Sequence, residues 1–148
     1  MNRPLRYPLT VFYDASCAMC AAELHGLREH DRHGRIELVD CSAADFDDEG
    51  LRADGITKEK LMALVHARDA HGRWLVGIDC FEAVYSAAGL EARARIWGDP
   101  KLRPLLGRAY PWIARHRQTL SHLGVSRVVG WLLPRAARHA GHCDGYCR

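Results

Sequence analysis

The sequence predicts an α/β fold in which helices flank a mixed β-sheet and a helical extension follows at the C-terminus. Two alternating stretches rich in β-forming residues, at 9–14 and 36–40, enclose a stretch with helical periodicity. A second pair of strand-like stretches and another helical pattern follow within residues 60–89. The 148 residues suffice for one domain, and 48% hydrophobic with 26% charged residues is ordinary for a soluble globular chain.

The first structural unit combines two strands and a helix. "LTVFYD" at residues 9–14 and "IELVD" at residues 36–40 predict the strands. Between them, Ser16 is the expected N-cap of a helix over about residues 17–32, which Gly34 ends. A strand–helix–strand unit this short places its strands in parallel with a right-handed crossover.

The second unit begins with a polar, acidic loop over residues 42–59 that has room for one helical turn. Residues 60–77 alternate around "DAHG" and predict an antiparallel hairpin. Residues 79–89 predict a helix that Asp79 caps and Gly89 ends. The order strand–helix–strand–loop–strand–strand–helix is that of a thioredoxin-like fold.

Charge divides the chain into two parts. Residues 1–90, the predicted core with a cysteine pair, have 10 Lys and Arg against 15 Asp and Glu, whereas residues 91–148 have 11 against 3. We expect the second part to be a basic helical extension within one domain, in which Pro104 and Pro111 kink or split an amphipathic helix over residues 101–124. The extension either packs on the acidic core or offers its charge to another surface.

Residues 101–148 are the expected place for a contact with a partner or, peripherally, with a membrane, and no nucleic-acid partner is expected. The start, "MNRPLRYPLT", lacks the apolar segment of a signal peptide, and "VVGWLLP" is too short to span a bilayer. We therefore expect a cytoplasmic protein. In that reducing compartment, six cysteines are better explained as thiols, metal ligands or a working redox pair than as structural bridges.

The stretch "FYDASCAMC", residues 12–20, places Cys17 and Cys20 where a strand ends and a helix begins. Unpaired N–H groups and the helix dipole stabilise a thiolate at such a position. Cys17 is therefore the expected exposed nucleophile. Cys20 shares an inward stripe with Leu24 and Leu27, which makes it the expected buried thiol that resolves a mixed disulfide.

Asp14 lies three residues before Cys17, at the end of the first strand. Its carboxylate could accept the proton that Cys20 loses on attack, or it could fix the strand-to-helix corner through an Asx turn or a cap. The two roles are compatible. Thiol-disulfide exchange through these three residues needs no bound cofactor.

Two other functions fit the same cysteines. A zinc-thiolate protein would use Cys17 and Cys20, with or without Cys143 and Cys147. In the tail itself, His139, His142, Cys143 and Cys147 offer four possible metal ligands; alternatively the two terminal cysteines form a second dithiol, or the tail has no fixed chemistry. A non-catalytic adaptor would keep the fold and bind a partner through its basic C-terminal part. Cys41 and Cys80 are single cysteines and are expected to be small buried hydrophobic residues.

The motif "FYDASCAMC" resembles the signature of the DCC family of thiol-disulfide oxidoreductase-like proteins, named for one Asp and two Cys, here Asp14, Cys17 and Cys20. The segments "ELVDCSA", "LVHARDAHGRWLVGIDCFEAVY" and "LRPLLGRAYPWIARHR" are similar to later parts of that family, so the resemblance covers roughly residues 7–120. It implies a thioredoxin-like fold and exchange with a protein or small-molecule thiol or disulfide.

Three features depart from the expected pattern. Ala15 replaces a usual Gly, and Ala18 replaces a frequent Pro. Thioredoxins also place a cis-proline opposite the cysteine pair, yet this chain has no proline between Pro8 and Pro100. Another residue near 57–62 is therefore expected to line the site.

Overall fold

The computed structural model describes residues 4–123. Its strands are β1 (Leu9–Tyr13), β2 (Ile36–Asp40), β3 (His66–Arg68) and β4 (Trp74–Val76). Its α-helices are α1 (Ala18–His30), α2 (Lys58–Ala63), α3 (Ile78–Ala87), α4 (Glu91–Gly98) and α5 (Arg103–His122), and a 3-10 helix (Glu49–Asp54) lies in the acidic loop.

The four strands form one mixed sheet in the order β2-β1-β3-β4. β1 and β2 are parallel, with Leu9 opposite Ile36 and Tyr13 opposite Asp40. β3 runs antiparallel to both β1 and β4. The predicted β-α-β unit, the hairpin and the thioredoxin-like order are therefore confirmed.

The central strand β1 is buried on both faces, because successive side chains of a strand point to opposite sides. Leu9, Val11 and Tyr13 join the core cluster that contains residues of α1 and α3. Phe12 belongs to a second cluster with Cys41, Ile56 and Leu61. The strand ends at Tyr13, so the residues that follow it begin directly at the edge of the core.

The start and end of α1 differ from the prediction. Cys17, in an extended conformation, occupies the N-cap position expected for Ser16. The helix ends at His30 because the carboxylate of Asp31 accepts hydrogen bonds from the N–H groups of His33 and Ile36, which begins the connection to β2. Gly34, with φ of +63°, lies in that connection and not at the helix end.

Two further boundaries also shift. The hairpin begins at His66 because the preceding residues form α2, and the prediction that Asp79 caps α3 is wrong. Gly77 occupies that N-cap position with φ of +60°, and a Cβ there would lie 3.3 Å from the Tyr110 ring. Glycine is thus required by both backbone conformation and packing.

The C-terminal helices pack on the core. α4 contacts α3, and α5 contacts α1, α3 and α4. α5 is one helix, so its two prolines do not split it as expected; Pro104 lies in the first turn, where a missing N–H is tolerated. Within residues 4–123, none of the helices has the length and apolar character needed to cross a membrane. His139, His142, Cys143 and Cys147 lie outside the described residues.

Candidate active site

The corner between β1 and α1 brings together the three residues that the sequence singled out. The Cys17 N–H donates to the Asp14 carbonyl at 3.3 Å, and the Cys17 carbonyl accepts from the Ala21 N–H at 3.0 Å. Cys17 therefore stands at the start of the helix, next to N–H groups that lack intrahelical partners. Cys20 follows one turn later on the same helix.

The exposure of the two cysteines contradicts the prediction. Cys17 is 1% exposed, whereas Cys20 is partly exposed. The expectation considered α1 alone, but in the structure Arg117 of α5 reaches across this corner and interacts electrostatically with both thiols.

The thiol of Cys20 keeps its proton at neutral pH. Burial raises the pKa of its thiol to about 12, and a hydrogen bond to Cys17 adds to the shift. The positive charge of Arg117 opposes the shift without cancelling it. The thiol of Cys20 is therefore a hydrogen-bond donor directed at the sulfur of Cys17.

Asp14 is 3% exposed, and each of its carboxylate oxygens accepts at least one hydrogen bond. Its Oδ1 accepts from the Ser16 N–H at 3.0 Å and from the Ser16 hydroxyl, which is the Asx turn expected at this corner. Its Oδ2 accepts from Arg117 Nη2 at 2.7 Å. Asp14 thus fixes the corner and anchors the guanidinium that lies beside the thiols.

Arg117 is the site residue that sequence reasoning missed. Its side chain is 13% exposed, and besides Asp14 it donates to the carbonyl oxygens of Met62 and Ala63. It therefore connects α5, the β1–α1 corner and the end of α2. One signal was available: Tyr110, Ala114 and Arg117 share one helical stripe, and a cation on such a buried stripe needs an anionic partner.

The sequence predicts that a residue near 57–62 lines the site, and in the structure the segment just before β3 does so. Leu61 from that range lies in the site, and so do Leu64 and Val65 just beyond it. The Val65 N–H donates to the hydroxyl of Tyr110 at 3.1 Å, which ties this segment to α5. The expected range, 57–62, therefore includes one residue of the site near its C-terminal end but stops before two others.

A cavity of about 240 Å³ adjoins the dithiol on the Cys20 side. Its walls come mainly from α1, α3, α5 and the segment before β3, and most of the lining side chains are apolar. Arg117 and Asp14 also line it, and both interact electrostatically with Cys20. Cys17 is not among the lining residues, so the cavity meets the pair through Cys20.

The remaining described cysteines lie apart from the pair. Cys41 and Cys80 are both 0% exposed, which confirms that they are buried. Burial raises the pKa of Cys41 to about 12 and also raises the pKa of Cys80. Among residues 4–123, no group of three or more His, Cys, Asp or Glu side chains is arranged to hold a metal ion.

Comparison with known proteins identifies the family. No solved structure matches the chain. A chloroplastic protein of Arabidopsis thaliana, itself uncharacterized, is 29% identical over 89 residues, which make up 60% of this chain and 41% of that protein. This chain thus matches about two fifths of the length of the plant relative. Residues 11–123, which include Asp14, Cys17, Cys20 and Arg117, match the DCC1-like thiol-disulfide oxidoreductase family. The match covers well over half of the chain, which therefore belongs to the DCC1-like thiol-disulfide oxidoreductase family.

Proposed function

We propose that the protein is an enzyme that exchanges the Cys17–Cys20 dithiol or disulfide with a partner thiol or disulfide. The main support is the geometry of the pair: Cys17 occupies the N-cap of α1, and Cys20 follows one turn later on the same helix. Backbone N–H groups without intrahelical partners at a helix N-terminus favour a nucleophilic sulfur there. Cys17 is therefore the proposed nucleophile, and Cys20 the resolving thiol.

The reduction of a disulfide RS–SR proceeds in two displacements. The Cys17 thiolate attacks one sulfur, forms a Cys17–S–SR bond and releases RS⁻, which takes up a proton. Cys20 then loses its proton and attacks the Cys17 sulfur, which forms the Cys17–Cys20 disulfide and releases the second RS⁻. Two electrons pass from the protein dithiol to the substrate, and two RSH molecules result.

Access to Cys17 requires a local movement, because its side chain is 1% exposed. The contact of Arg117 with Met62 and Ala63 joins two elements beside the cysteine pair. We place the opening there, since it involves one side chain and no change in the sheet. Asp14, which holds the same guanidinium, is also the proposed acceptor of the Cys20 proton.

Trapping of the mixed disulfide tests this function. A Cys20→Ser variant should attack a disulfide through Cys17 and then stop, so intact mass measurement should find one substrate thiol attached per chain. A Cys17→Ser variant should remain unmodified under the same conditions. Equal modification of both variants would contradict the assigned order of attack.

We place this exchange in the cytoplasm, where a reducing thiol pool would return the pair to the dithiol form. The plant relative is described as chloroplastic, so location needs a direct measurement. Fractionation of cells that produce the tagged, full-length chain provides one. Recovery in an organelle or in the periplasm would overturn the cytoplasmic assignment without affecting the chemistry.

We further propose that residues 91–148 belong to the same domain as residues 1–90 and use their positive charge to contact a partner or an acidic membrane surface. The packing of α4 and α5 on α3 and α1 supports the first part. If exposed charge drives the contact, association with acidic vesicles should weaken between low salt and physiological salt, where charges are screened within about 8 Å. Binding that does not depend on salt would leave these arginines a packing role.

A further inference from the structure

The cavity beside Cys20 has one polar end and otherwise apolar walls. Cys20 and Arg117 stand at one end, and the remainder is formed largely by carbon atoms of side chains such as Leu24, Phe81 and Trp97. A ligand that fits both ends carries sulfur at one end and a hydrocarbon group at the other. The volume of about 240 Å³ exceeds the roughly 150 Å³ of an engineered cavity that holds benzene, so a small molecule can enter.

Each of the three tyrosine hydroxyls of the wall already has one hydrogen-bond partner within the protein. The Tyr13 hydroxyl is hydrogen-bonded to His25 at 2.8 Å, and the Tyr110 hydroxyl accepts from the Val65 N–H at 3.1 Å. The Tyr85 hydroxyl donates to the Glu23 carboxylate. A polar group placed against these walls would lose its water and find few groups still able to bond it, which disfavours polar ligands.

The charged side chains that line the cavity disfavour anionic ligands. Two carboxylates, Asp14 and Glu23, line the cavity, and the single guanidinium of Arg117 is already paired with Asp14. An anionic thiol such as a glutathione-type peptide would meet net negative charge. Among residues 4–123, the buried side-chain nitrogen or oxygen without a hydrogen-bond partner is Nε of Arg117, at the same end as Cys20. The unpaired N–H donor of Arg117 therefore lies where the sulfur of a ligand would lie.

The cavity reaches solvent at its rim. Ile113 is 37% exposed, and Met19 is partly exposed, although both line the cavity. A small molecule could therefore enter without separation of the helices. Once there, its sulfur would stand next to Cys20, whose thiol is in hydrogen-bond contact with Cys17.

From this geometry we infer that the cavity is a substrate subsite for small, uncharged disulfides with short hydrocarbon arms. The inference rests on the proposed exchange function and names its substrate class. One arm occupies the cavity while Cys17 attacks the adjacent sulfur, forms the Cys17–S–SR bond and releases the other arm as RSH after protonation. Cys20, which faces the retained arm, then displaces it as RS⁻ beside the Arg117 guanidinium, and the thiolate leaves after protonation.

Two disulfides with the same number of heavy atoms test the inference. In dipropyl disulfide each arm ends in a methyl group, and in bis(2-hydroxyethyl) disulfide each arm ends in a hydroxyl. The full-length, reduced protein is mixed with each, and formation of the Cys17–Cys20 disulfide is followed after acid quench and alkylation. Rate constants are divided by those of free N-acetylcysteine, which removes differences in intrinsic reactivity.

We expect the corrected rate constant for dipropyl disulfide to be higher by roughly tenfold to a hundredfold, the usual discrimination of an apolar pocket. Ala114→Leu, which fills the cavity from α5, should reduce that ratio towards one. Ala92→Leu on the exposed face of α4 is the matched control and should leave the ratio unchanged. Dipropyl sulfide, which cannot be reduced, should compete with dipropyl disulfide in the unaltered protein, which gives a second measurement should Ala114→Leu fail to fold.

The outcomes separate this inference from the function on which it rests. Reduction of both disulfides with a ratio near one, and no competition by the sulfide, would overturn the subsite and leave the exchange function standing. Such a result would assign the cavity to packing or to an apolar side chain of a protein substrate. Failure to reduce either disulfide would remove the exchange function, and the subsite with it.

Discussion

Cys17 and Cys80 are almost equally buried, at 1% and 0% exposure, yet their surroundings are opposite. Cys17 receives a hydrogen bond from the Cys20 thiol and lies within the electrostatic reach of Arg117. Cys80 lies in α3, where burial and the negative charge of Asp79 both raise the pKa of its thiol. In this protein, a second sulfur and a cation distinguish the proposed reactive thiol, and solvent exposure does not.

Cys41 is an intermediate case that sharpens the comparison. It follows β2 and is 0% exposed, and burial raises its pKa to about 12. Asp40 adds to the shift and Lys58 opposes it, so a cation is present in the surroundings. Within residues 4–123 its sulfur donates weakly to the Val39 carbonyl and has no second thiol as a hydrogen-bond partner. A cation alone therefore does not make a redox couple.

The largest expected effect is the loss of the proposed nucleophile. Cys17→Ser should lower the rate of disulfide reduction by roughly a thousandfold or more, because a serine hydroxyl cannot replace a thiolate. Cys80→Ala should keep the rate and lose about 1 kcal/mol of stability through the small cavity left in α3. Single-turnover reduction of bis(2-hydroxyethyl) disulfide measures the first effect and urea unfolding the second. Similar rate losses in both variants would show that the different surroundings of Cys17 and Cys80 do not make one thiol more reactive than the other.

The next effect concerns the cation. Arg117→Gln should slow disulfide reduction by roughly a hundredfold and move the pH dependence of the rate to higher pH. The reason is that the substitution removes the positive charge that stabilises a thiolate beside it. Asp14 would remain buried without its partner, so we expect a stability loss of about 3–5 kcal/mol. Reduction rates measured across pH test the first effect, and urea unfolding tests the loss of stability.

Arg115→Gln provides the matched control, since Arg115 is exposed on the same helix. It removes the same charge from the chain but not from the site. An equal change in the pH profile of both variants would assign the effect to net charge and not to the contact with the cysteine pair.

Much of the fold could be predicted because its signals are local. The alternation in β1 and β2, the helical spacing in α3 and the turn of the hairpin each depend on residues close in sequence. The start of α1 was misplaced by one residue because Ser16 uses its hydroxyl on Asp14, two residues earlier, and not on the helix N–H groups. Competition between two short-range hydrogen bonds decides such a boundary.

The site could be predicted only in part for the opposite reason. The cysteine pair and Asp14 fall within one short motif, whereas Arg117 follows Asp14 by 103 residues. The stripe of Tyr110, Ala114 and Arg117 indicates one face of α5, but nothing in the spacing indicates that this face meets the β1–α1 corner. An argument from α1 alone assigned exposure to the wrong cysteine of the pair.

A smaller effect is expected at Asp14, where the Asx turn and the proposed proton acceptor can be separated. Asp14→Asn keeps an acceptor for the Ser16 N–H but cannot take the proton from Cys20. We expect formation of the mixed disulfide to remain within a few fold and its decay to slow by roughly tenfold. Stopped-flow measurement resolves the two steps.

Asp14→Ala is the companion variant, because it removes both roles and should also lose stability. If both kinetic steps are unchanged in Asp14→Asn while Asp14→Ala unfolds more easily, Asp14 is a corner residue alone. The difference in reactivity between the cysteines would then depend on Arg117 and the second sulfur alone, and no proton acceptor would be part of it.

The smallest effect is a difference in alkaline stability at Cys41. Its folded pKa, about 12, lies above the value near 9 at which a thiol ionises in the unfolded chain. The unfolded state therefore loses its proton first, so the stabilising contribution is complete below about pH 9 and is lost as pH rises towards 12. One thiol accounts for at most about 1.4 kcal/mol per pH unit in that window. Cys41→Ala should reduce the slope of unfolding free energy against pH between about 9 and 11, measured by urea unfolding, and leave it unchanged between about 6 and 8. Identical slopes in both proteins above pH 9 would mean that Cys41 ionises in the folded state, which would remove the electrostatic difference between this thiol and the proposed nucleophile.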